Sequence, residues 1–285
     1  MATLIESKRR ITSVKSTQKI IKAMEMVAAS KVKKARDNAK SVEFFFDVSL
    51  DLMAHLYQYK EVRDKIFTMD NDKKTLIIGI TSDMGLCGAY NANVNKELLQ
   101  LYNTTEGKKE LLILGKKGVN KLIYEGIEVD YRYVDQDQND QMSLAQELSS
   151  IIIDKLNNGE LKDIKIVYTK FVNPILQEVD VIDFSTLEEV LKNKIISKAT
   201  IQVEPEPEEV FTSMLDMLLE AFIYSSILQS TASEHSFRRN SMEAANKNSL
   251  ELIDKLNLEM NRIRQGMITQ EISEIIGGSE ALGGE

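Results

Sequence analysis

A loop at residues 81–91, TSDMGLCGAYN, contains the residue types of this chain that could perform chemistry. Its glycines, Gly85 and Gly88, lie between a predicted strand and a predicted helix, where backbone N–H groups can bind an anion. Their spacing is GxxG, however, and a dinucleotide fingerprint needs three glycines. Cys87 could serve as a nucleophile, but the loop contains no His or Lys to activate it. A tightly packed loop thiol is therefore favoured, and a nucleotide site is the alternative.

The rest of the chain offers no catalytic or metal-binding constellation. The two histidines, His55 and His235, have no neighbouring Cys or His at metal-ligand spacing, and each is predicted to pack between helices. The sequence contains no GxSxG, HExxH or P-loop pattern. We therefore expect no catalytic residue, no cofactor and no metal site.

The composition limits the class of protein. A chain of 285 residues can bury a hydrophobic core without the help of disulfides or metals. Its single cysteine cannot form an intramolecular disulfide, which suits a reducing compartment. The N-terminus, MATLIESKRR, lacks the apolar core of a signal peptide, and no run approaches the length of a membrane span. We expect a soluble, uncleaved protein.

The charge is distributed unevenly along the chain. The net charge is -8, yet residues 1–40 contain eleven Lys and Arg against three acidic residues, so this segment carries +8 and the remainder -16. A net charge this negative argues against a nucleic-acid-binding protein. The basic segment needs either a solvent-exposed face or an acidic partner.

The N-terminal 60 residues are predicted to form one long helix, because Gly79 is the first glycine or proline of the chain. Apolar residues recur at the seam positions of a coiled coil. They are Val14, Ile21, Ala28, Ala35 and Val42, with Met24, Val32, Ala39 and Phe46 between them. An adjacent face carries Lys8, Lys15, Lys19, Lys22, Lys33 and Lys40. This basic stripe is either a solvated face or a surface for a partner.

The middle of the chain, residues 73–203, alternates strand and helix periods. Strands are predicted at 76–80, 110–115, 128–134 and 165–172, and helices at 91–102, 116–125 and 143–159. This alternation predicts a mainly parallel sheet. Only Asn173 and Pro174 separate the fourth strand from the strand-like segment ILQEVDVIDF, so we expect an antiparallel hairpin at one edge. Gly126 and Gly159 are expected to cap helices.

A second long helix is predicted after the acidic connector EPEPEE at 204–209. Its first turns, residues 211–228, are apolar on most sides, which implies burial between the sheet domain and the N-terminal helix. Further along, apolar residues continue at steps of three and four, and Gly277 and Gly278 are expected to end the helix.

These patterns predict an α/β domain inserted between two long terminal helices that form an antiparallel coiled coil. The expected division is residues 1–62 for the N-terminal coiled-coil helix, 73–203 for a Rossmann-like base domain and 208–285 for the C-terminal coiled-coil helix. If the C-terminal helix outlasts its partner, its apolar end at 260–276 has no intramolecular cover. An exposed apolar stripe of that size marks a binding surface.

Four segments resemble the gamma subunit of the F-type ATP synthase, of the bacterial type. They are RRITSVKSTQKIIKAMEMVAASKVKKA (9–35), ITSDMGLCGAYNANV (80–94), ASEHSFRRNSMEAANKNSLELID (232–254) and RQGMITQEISEIIGGSEAL (264–282). They follow the family order and cover both ends and the middle. The resemblance implies a non-catalytic central rotor shaft, which couples ion-driven rotation of the membrane ring to conformational change at the catalytic beta subunits.

The resemblance also implies partners and contact residues. The partners would be the alpha, beta and epsilon subunits and the membrane c-ring, with the chain peripheral to the membrane and not inserted in it. Contacts with alpha and beta would involve Lys19, Lys22, Met24, Glu25, Met26, Asp83, Cys87, Arg238, Arg239, Arg264, Gln265, Thr269, Glu271 and Glu274. An apolar bearing tip would comprise Met267, Ile268, Ile272, Ile275 and Ile276.

The sequence departs from the family pattern in one loop. The family loop usually reads SDRGLCGGLN, whereas here Met84 replaces the arginine, Ala89 the second glycine and Tyr90 the leucine. This puts the charged contact of the loop in question. The chain has neither the cysteine-bearing insertion of chloroplast members nor a mitochondrial presequence, so we expect the cytoplasmic face of a bacterial plasma membrane.

Two functions of other classes are alternatives to a rotor. A static coiled-coil tether would bind no alpha and beta subunits. An enzyme using the α/β domain would bind or hydrolyse nucleotide as the purified chain, which the rotor interpretation does not expect.

Overall fold

The computed structural model divides into two compact units. One combines residues 1–28 with 239–285, and the other comprises residues 29–238. Two long helices contribute to both units, α1 (Leu4–Leu56) and α7 (Pro207–Leu282). The structure describes residues 4–65, 73–137, 140–194 and 203–282, without the side chains of 38–47, 63–65, 278 and 280–282.

The first unit is a pair of antiparallel helices. Gln18 Nε2 on α1 donates a hydrogen bond of 2.8 Å to Asn246 Oδ1 on α7. The buried seam continues to Ile11 towards the start of α1 and to Ile253 and Leu256 further along α7. This pairing confirms the predicted antiparallel coiled coil. The predicted seam side chains of Ala39, Val42 and Phe46 and the stripe member Lys40 lie outside the described side chains.

The second unit contains a five-stranded sheet in the order β3-β2-β1-β4-β5. The strands are β1 (Lys74–Ile80), β2 (Lys109–Leu114), β3 (Tyr131–Tyr133), β4 (Leu161–Phe171) and β5 (Gln177–Asp183). The first four strands are parallel to one another, and β5 pairs antiparallel with β4 at one edge. Both the parallel sheet and the edge hairpin were predicted from the sequence.

Helices cover both faces of the sheet. They are α3 (Tyr90–Thr104) and α4 (Lys116–Tyr124) on one face, and α5 (Gln141–Asn157) with part of α7 on the other. The connections after α4 and α5 turn at Gly126 and Gly159, whose φ angles of 78° and 71° favour glycine. The predicted helix caps are therefore confirmed.

A further apolar cluster surrounds the first turns of α7. Phe211 and Leu218 pack with Met53 near the end of α1, with Val62 of α2 (Lys60–Lys65) and with Leu191 of α6 (Leu187–Asn193). A short 3-10 turn at Phe184–Thr186 leads into α6. This cluster, together with the packing of α7 on the sheet, confirms the predicted burial of the apolar start of α7.

The predicted end of the C-terminal helix was wrong. The helix does not stop at Gly277 and Gly278 but continues to Leu282. Gly277 is exposed, and a Cβ on it would have no neighbour within 4 Å, so no packing favours a turn there. The two glycines cost the helix about 1 kcal/mol each relative to alanine. The helix formers Glu280, Ala281 and Leu282 follow them.

One helix in the described part of the chain passes a membrane-span test by length and composition. Within α7 an 18-residue window reaches a mean hydropathy of 1.4, and 39% of that window is buried. Core helices of soluble proteins pass the same test. In α7 the side chains of Ile223 and Ile227 pack in the core between helix and sheet, which explains an apolar stretch there.

Candidate interaction surfaces

The loop after β1 is fixed to the start of α4. Gly118 N donates a hydrogen bond of 2.9 Å to Thr81 Oγ1, and Lys116 N donates one of 2.9 Å to Asp83 Oδ1. Gly118 must be small, because a Cβ there would lie 2.7 Å from Thr81 Oγ1. The partly exposed Asp83 is thus held in one position at the carboxyl end of the sheet.

Inside the loop, Asn91 at the start of α3 organises the chain. Its Nδ2 donates hydrogen bonds to Ser82 Oγ at 2.8 Å and to Cys87 Sγ at 3.1 Å, and its Oδ1 accepts one from Ser82 N at 3.0 Å. Cys87 is buried, which confirms the prediction of a packed loop thiol. Met84 and Leu86 instead point outwards and are 62% and 61% exposed. The loop therefore presents an apolar surface at Met84 and Leu86.

Arg238 of α7 joins the helix to this loop. Its Nη2 lies 2.6 Å from Glu234 Oε1 and donates a hydrogen bond of 3.3 Å to the carbonyl oxygen of Gly85. Its Nη1 lies 3.1 Å from His235 Nδ1. The side chains of Arg238 and Glu234 are only 8% and 9% exposed, so this is a buried ion pair. The sequence predicted Arg238 as a contact residue but missed Glu234 and its role.

Burial dominates the electrostatics of this cluster. It raises the pKa of Glu234 more than the Arg238 guanidinium lowers it. For His235, burial and then the positive charges of Arg238 and Lys31 lower the pKa to about 3. His235 is therefore neutral at physiological pH, as expected of a helix-packing histidine. Among the described residues, Arg238 Nε has no hydrogen-bond partner.

The helix pair places the N-terminal candidate residues on and beside its seam. Lys19 and Lys22 are exposed, and Lys22 Nζ forms an ion pair of 2.9 Å with Glu25 Oε1. Met24 is half-buried, whereas Met26 is 59% exposed. The other described members of the basic stripe, Lys8, Lys15 and Lys33, are also exposed. The cations of this stripe can thus reach a partner.

The end of α7 carries the remaining candidates on a helix that is exposed all round. Arg239 is half-buried near the start of the first unit's α7 segment. The polar candidates Arg264, Gln265, Thr269, Glu271 and Glu274 are all exposed. The apolar tip residues Met267, Ile268, Ile272, Ile275 and Ile276 are 46%, 47%, 51%, 71% and 55% exposed. Among the described side chains, Leu256 is the last buried one along α7, and the apolar stripe continues beyond it.

No group of three or more His, Cys, Asp or Glu that could hold a metal occurs among the described residues. The structure thus brings Asp83, Cys87 and Arg238 together around one loop and leaves the tip residues on a separate helix end. The sequence missed Ser82 and Asn91, although their positions within the loop motif are a usable signal. An antiparallel helix pair, an inserted α/β domain and an uncovered apolar helix end define a structural subunit of a larger assembly.

Comparison with known proteins identifies the family. A family model described as ATP synthase matches residues 3–282. The ATP synthase gamma chain of Halothermothrix orenii is 37% identical, with 99% of this chain and 100% of the relative covered. The sodium ion specific ATP synthase gamma chain of Acetobacterium woodii is 34% identical, with coverage of 96% and 97%. The chain belongs to the ATP synthase gamma family.

Solved structures agree with this assignment. The central stalk and c-ring structure of the Tetrahymena thermophila mitochondrial ATP synthase contains a chain that matches with a TM-score of 0.60 and 25% identity, over 79% of this chain and 99% of that one. A chain of the Euglena gracilis mitochondrial enzyme matches with a TM-score of 0.66 and 17% identity, over 98% and 94%. The protein is therefore a non-catalytic central-stalk subunit and rotor shaft of an ATP synthase, peripheral to the membrane part of the complex.

Proposed function

We propose that the uncovered end of α7 is the upper bearing of the shaft, seated in a sleeve of alpha and beta subunits. The observation that carries the proposal is the exposure of the tip, from Met267 at 46% to Ile275 at 71%, directly beyond a buried seam. An apolar surface in an apolar sleeve is stabilised without directional bonds that would have to break on rotation. Arg264, Gln265 and Thr269 on the same turns supply polar contacts with beta.

Two lower surfaces engage the beta subunits in this proposal. The exposed Lys19 and Lys22 offer positive charge to acidic levers, and exposed charge pairs of this kind hold weakly, at about 1 kcal/mol or less each. The loop after β1 offers Asp83 together with the apolar side chains of Met84 and Leu86. Cys87 and Arg238 are buried, so they contribute by holding the shape of the loop.

The coupling is mechanical. Rotation of the membrane c-ring by ion flow turns the chain, and its unequal faces meet each beta subunit in turn. Each orientation must make different contacts with the beta subunits, because only differential contacts shift a conformational equilibrium. The α/β unit and the epsilon subunit meet the c-ring at the cytoplasmic face of the bacterial plasma membrane, and no nucleic acid takes part.

Reconstitution tests this function. ATP hydrolysis by the alpha and beta subunits is measured with the full chain, without it and with a chain truncated after Met260. We expect the full chain to stimulate hydrolysis and the truncated chain to bind less tightly and transmit less torque. The purified chain alone should neither bind nor hydrolyse nucleotide. Unchanged assembly and torque after truncation would rule out the tip as a principal bearing, and failure to bind alpha and beta would favour a static tether.

A further inference from the structure

A cleft of about 300 Å³ lies in the second unit beneath the first turns of α7. Its walls come from α7, from α2, from the start of β4, from the end of α5 and from the residues that flank β1 and α6. The apolar lining consists of Val62, Leu156, Leu161, Ile164, Phe184, Phe211, Leu215 and Leu219. This volume is at the small end of the range that binds organic ligands.

The charged groups of the cleft are not equivalent. Asp163 forms an ion pair of 3.2 Å with Lys165, which also pairs with Asp183. Lys162 Nζ lies beside the turn at Gly107, 3.5 Å from the position that a Cβ on this glycine would take. Lys73 Nζ lies in the same way beside the turn at Gly159, at 3.6 Å. Glu208 also lines the cleft and has a partner of its own.

Asp216 differs from these groups. It lies on α7 between two other lining residues, Leu215 and the buried Leu219, and is itself partly buried. No hydrogen bond or ion pair reaches its carboxylate from any residue that the structure describes. Burial alone raises its pKa above the ordinary value for aspartate. A partly desolvated, uncompensated carboxylate beside apolar walls favours a ligand that supplies a positive charge.

We propose that this cleft binds a small organic cation with an apolar body and one ammonium group. The apolar body lies against Phe184, Phe211 and Leu219, and the ammonium group donates hydrogen bonds to the carboxylate of Asp216. Aromatic rings in the lining also suit a cation or an aromatic body. This site is independent of the rotor function, since none of its residues belongs to the surfaces assigned to alpha and beta.

Calorimetric titration of the full chain with 2-phenylethylammonium tests the site. The matched probes are 2-phenylethanol, which lacks the charge, and 3-phenylpropionate, which reverses it. The matched variants are Asp216→Asn and, as a control at an exposed position elsewhere on α7, Asp254→Asn. A Thr212→Trp variant adds bulk at an exposed residue of the cleft lining, and it keeps the test valid if Asp216→Asn folds poorly.

We expect the ammonium probe to bind at least tenfold more tightly than either matched probe. Asp216→Asn should weaken its binding about tenfold, as loss of a charge-assisted hydrogen bond implies. Asp254→Asn should bind like the unaltered chain, and Thr212→Trp should not bind. The proposal is overturned if the ammonium probe does not bind, if 3-phenylpropionate binds equally well, or if Thr212→Trp or Asp216→Asn leaves its affinity unchanged.

Discussion

Replacement of Arg238 by methionine should destabilise the second unit strongly. The guanidinium is the partner of Glu234 at 2.6 Å, and both side chains are less than a tenth exposed. Without it, Glu234 must stay buried as an unpaired charge or become protonated. Removing one partner of a buried ion pair costs roughly 3–5 kcal/mol. The lost hydrogen bond to the carbonyl oxygen of Gly85 adds about 1 kcal/mol.

The double variant Glu234→Leu/Arg238→Met separates pair loss from packing loss. Replacing both members of a buried pair by apolar residues is often neutral or stabilising. The double variant should therefore lie within about 2 kcal/mol of the unaltered chain, with the remaining loss assigned to the contacts of Arg238 with Gly85 and His235. The two substitutions should be strongly non-additive, as expected for residues in direct contact.

Urea unfolding at pH 7, followed by circular dichroism, measures these free energies. With a slope of about 3 kcal/mol per molar urea, Arg238→Met should lower the midpoint by about 1 M or more. The neighbouring half-buried Arg239→Met is the matched control and should cost about 0.5 kcal/mol. The reasoning is refuted if Arg238→Met costs less than 1 kcal/mol, or if the double variant costs as much as the two single changes together.

Three other predictions concern stability and the bearing. The pKa of His235 is lowered to about 3 in the folded chain, so the unfolded chain binds the proton first as pH drops. This residue should therefore lower the free energy of unfolding by about 2 kcal/mol between pH 7 and pH 5. His235→Gln should remove that part of the pH dependence, and a variant with the same pH dependence as the unaltered chain would contradict the prediction. Gly115→Ala should cost more than 2 kcal/mol by thermal unfolding, because the φ of Gly115 is 92° and a Cβ there would lie 2.3 Å from the backbone oxygen of Thr81. Gly126→Ala, with a φ of 78° and no neighbour within 4 Å of the added Cβ, should cost about 1 kcal/mol. Equal losses would show that the close approach at Gly115 does not matter. Ile272→Asp should weaken binding to the alpha and beta subunits at least tenfold in a pull-down titration, because burial of an aliphatic side chain contributes about 1.5–3 kcal/mol. The adjacent Ser273→Asp is the control and should have a smaller effect. Equal effects of the two changes would contradict a tip seated in the sleeve.

Much of the fold was predictable because its signals are local. Strands β1, β2 and β4 are nearly continuous apolar runs that a sheet covered on both faces requires. The connection from β4 to β5, residues 172–176, is too short for a parallel crossover and allows only a hairpin. The uncovered end of α7 was predictable because its apolar residues continue at steps of three and four beyond the part of the helix that α1 is long enough to cover.

The buried cluster around Arg238 could be predicted only in part. The spacing of Glu234 and Arg238 by four residues indicates a pair on one helix face, but their burial and the contact with Gly85 depend on how α7 packs against the loop. The cleft at Asp216 is likewise assembled from segments far apart in the sequence. The helix through Gly277 was missed because glycine signals a helix end only where a left-handed turn follows.

Rotation of the chain within the reconstituted complex tests the central claim most directly. A bead can be attached through Tyr124→Cys on α4, because Tyr124 is 84% exposed while the native Cys87 is buried and should not react. The alpha and beta subunits are fixed to a surface and supplied with ATP, and single beads are followed by microscopy. The account predicts rotation in one direction that depends on ATP. A bead that stays still while the same complexes consume ATP would contradict it.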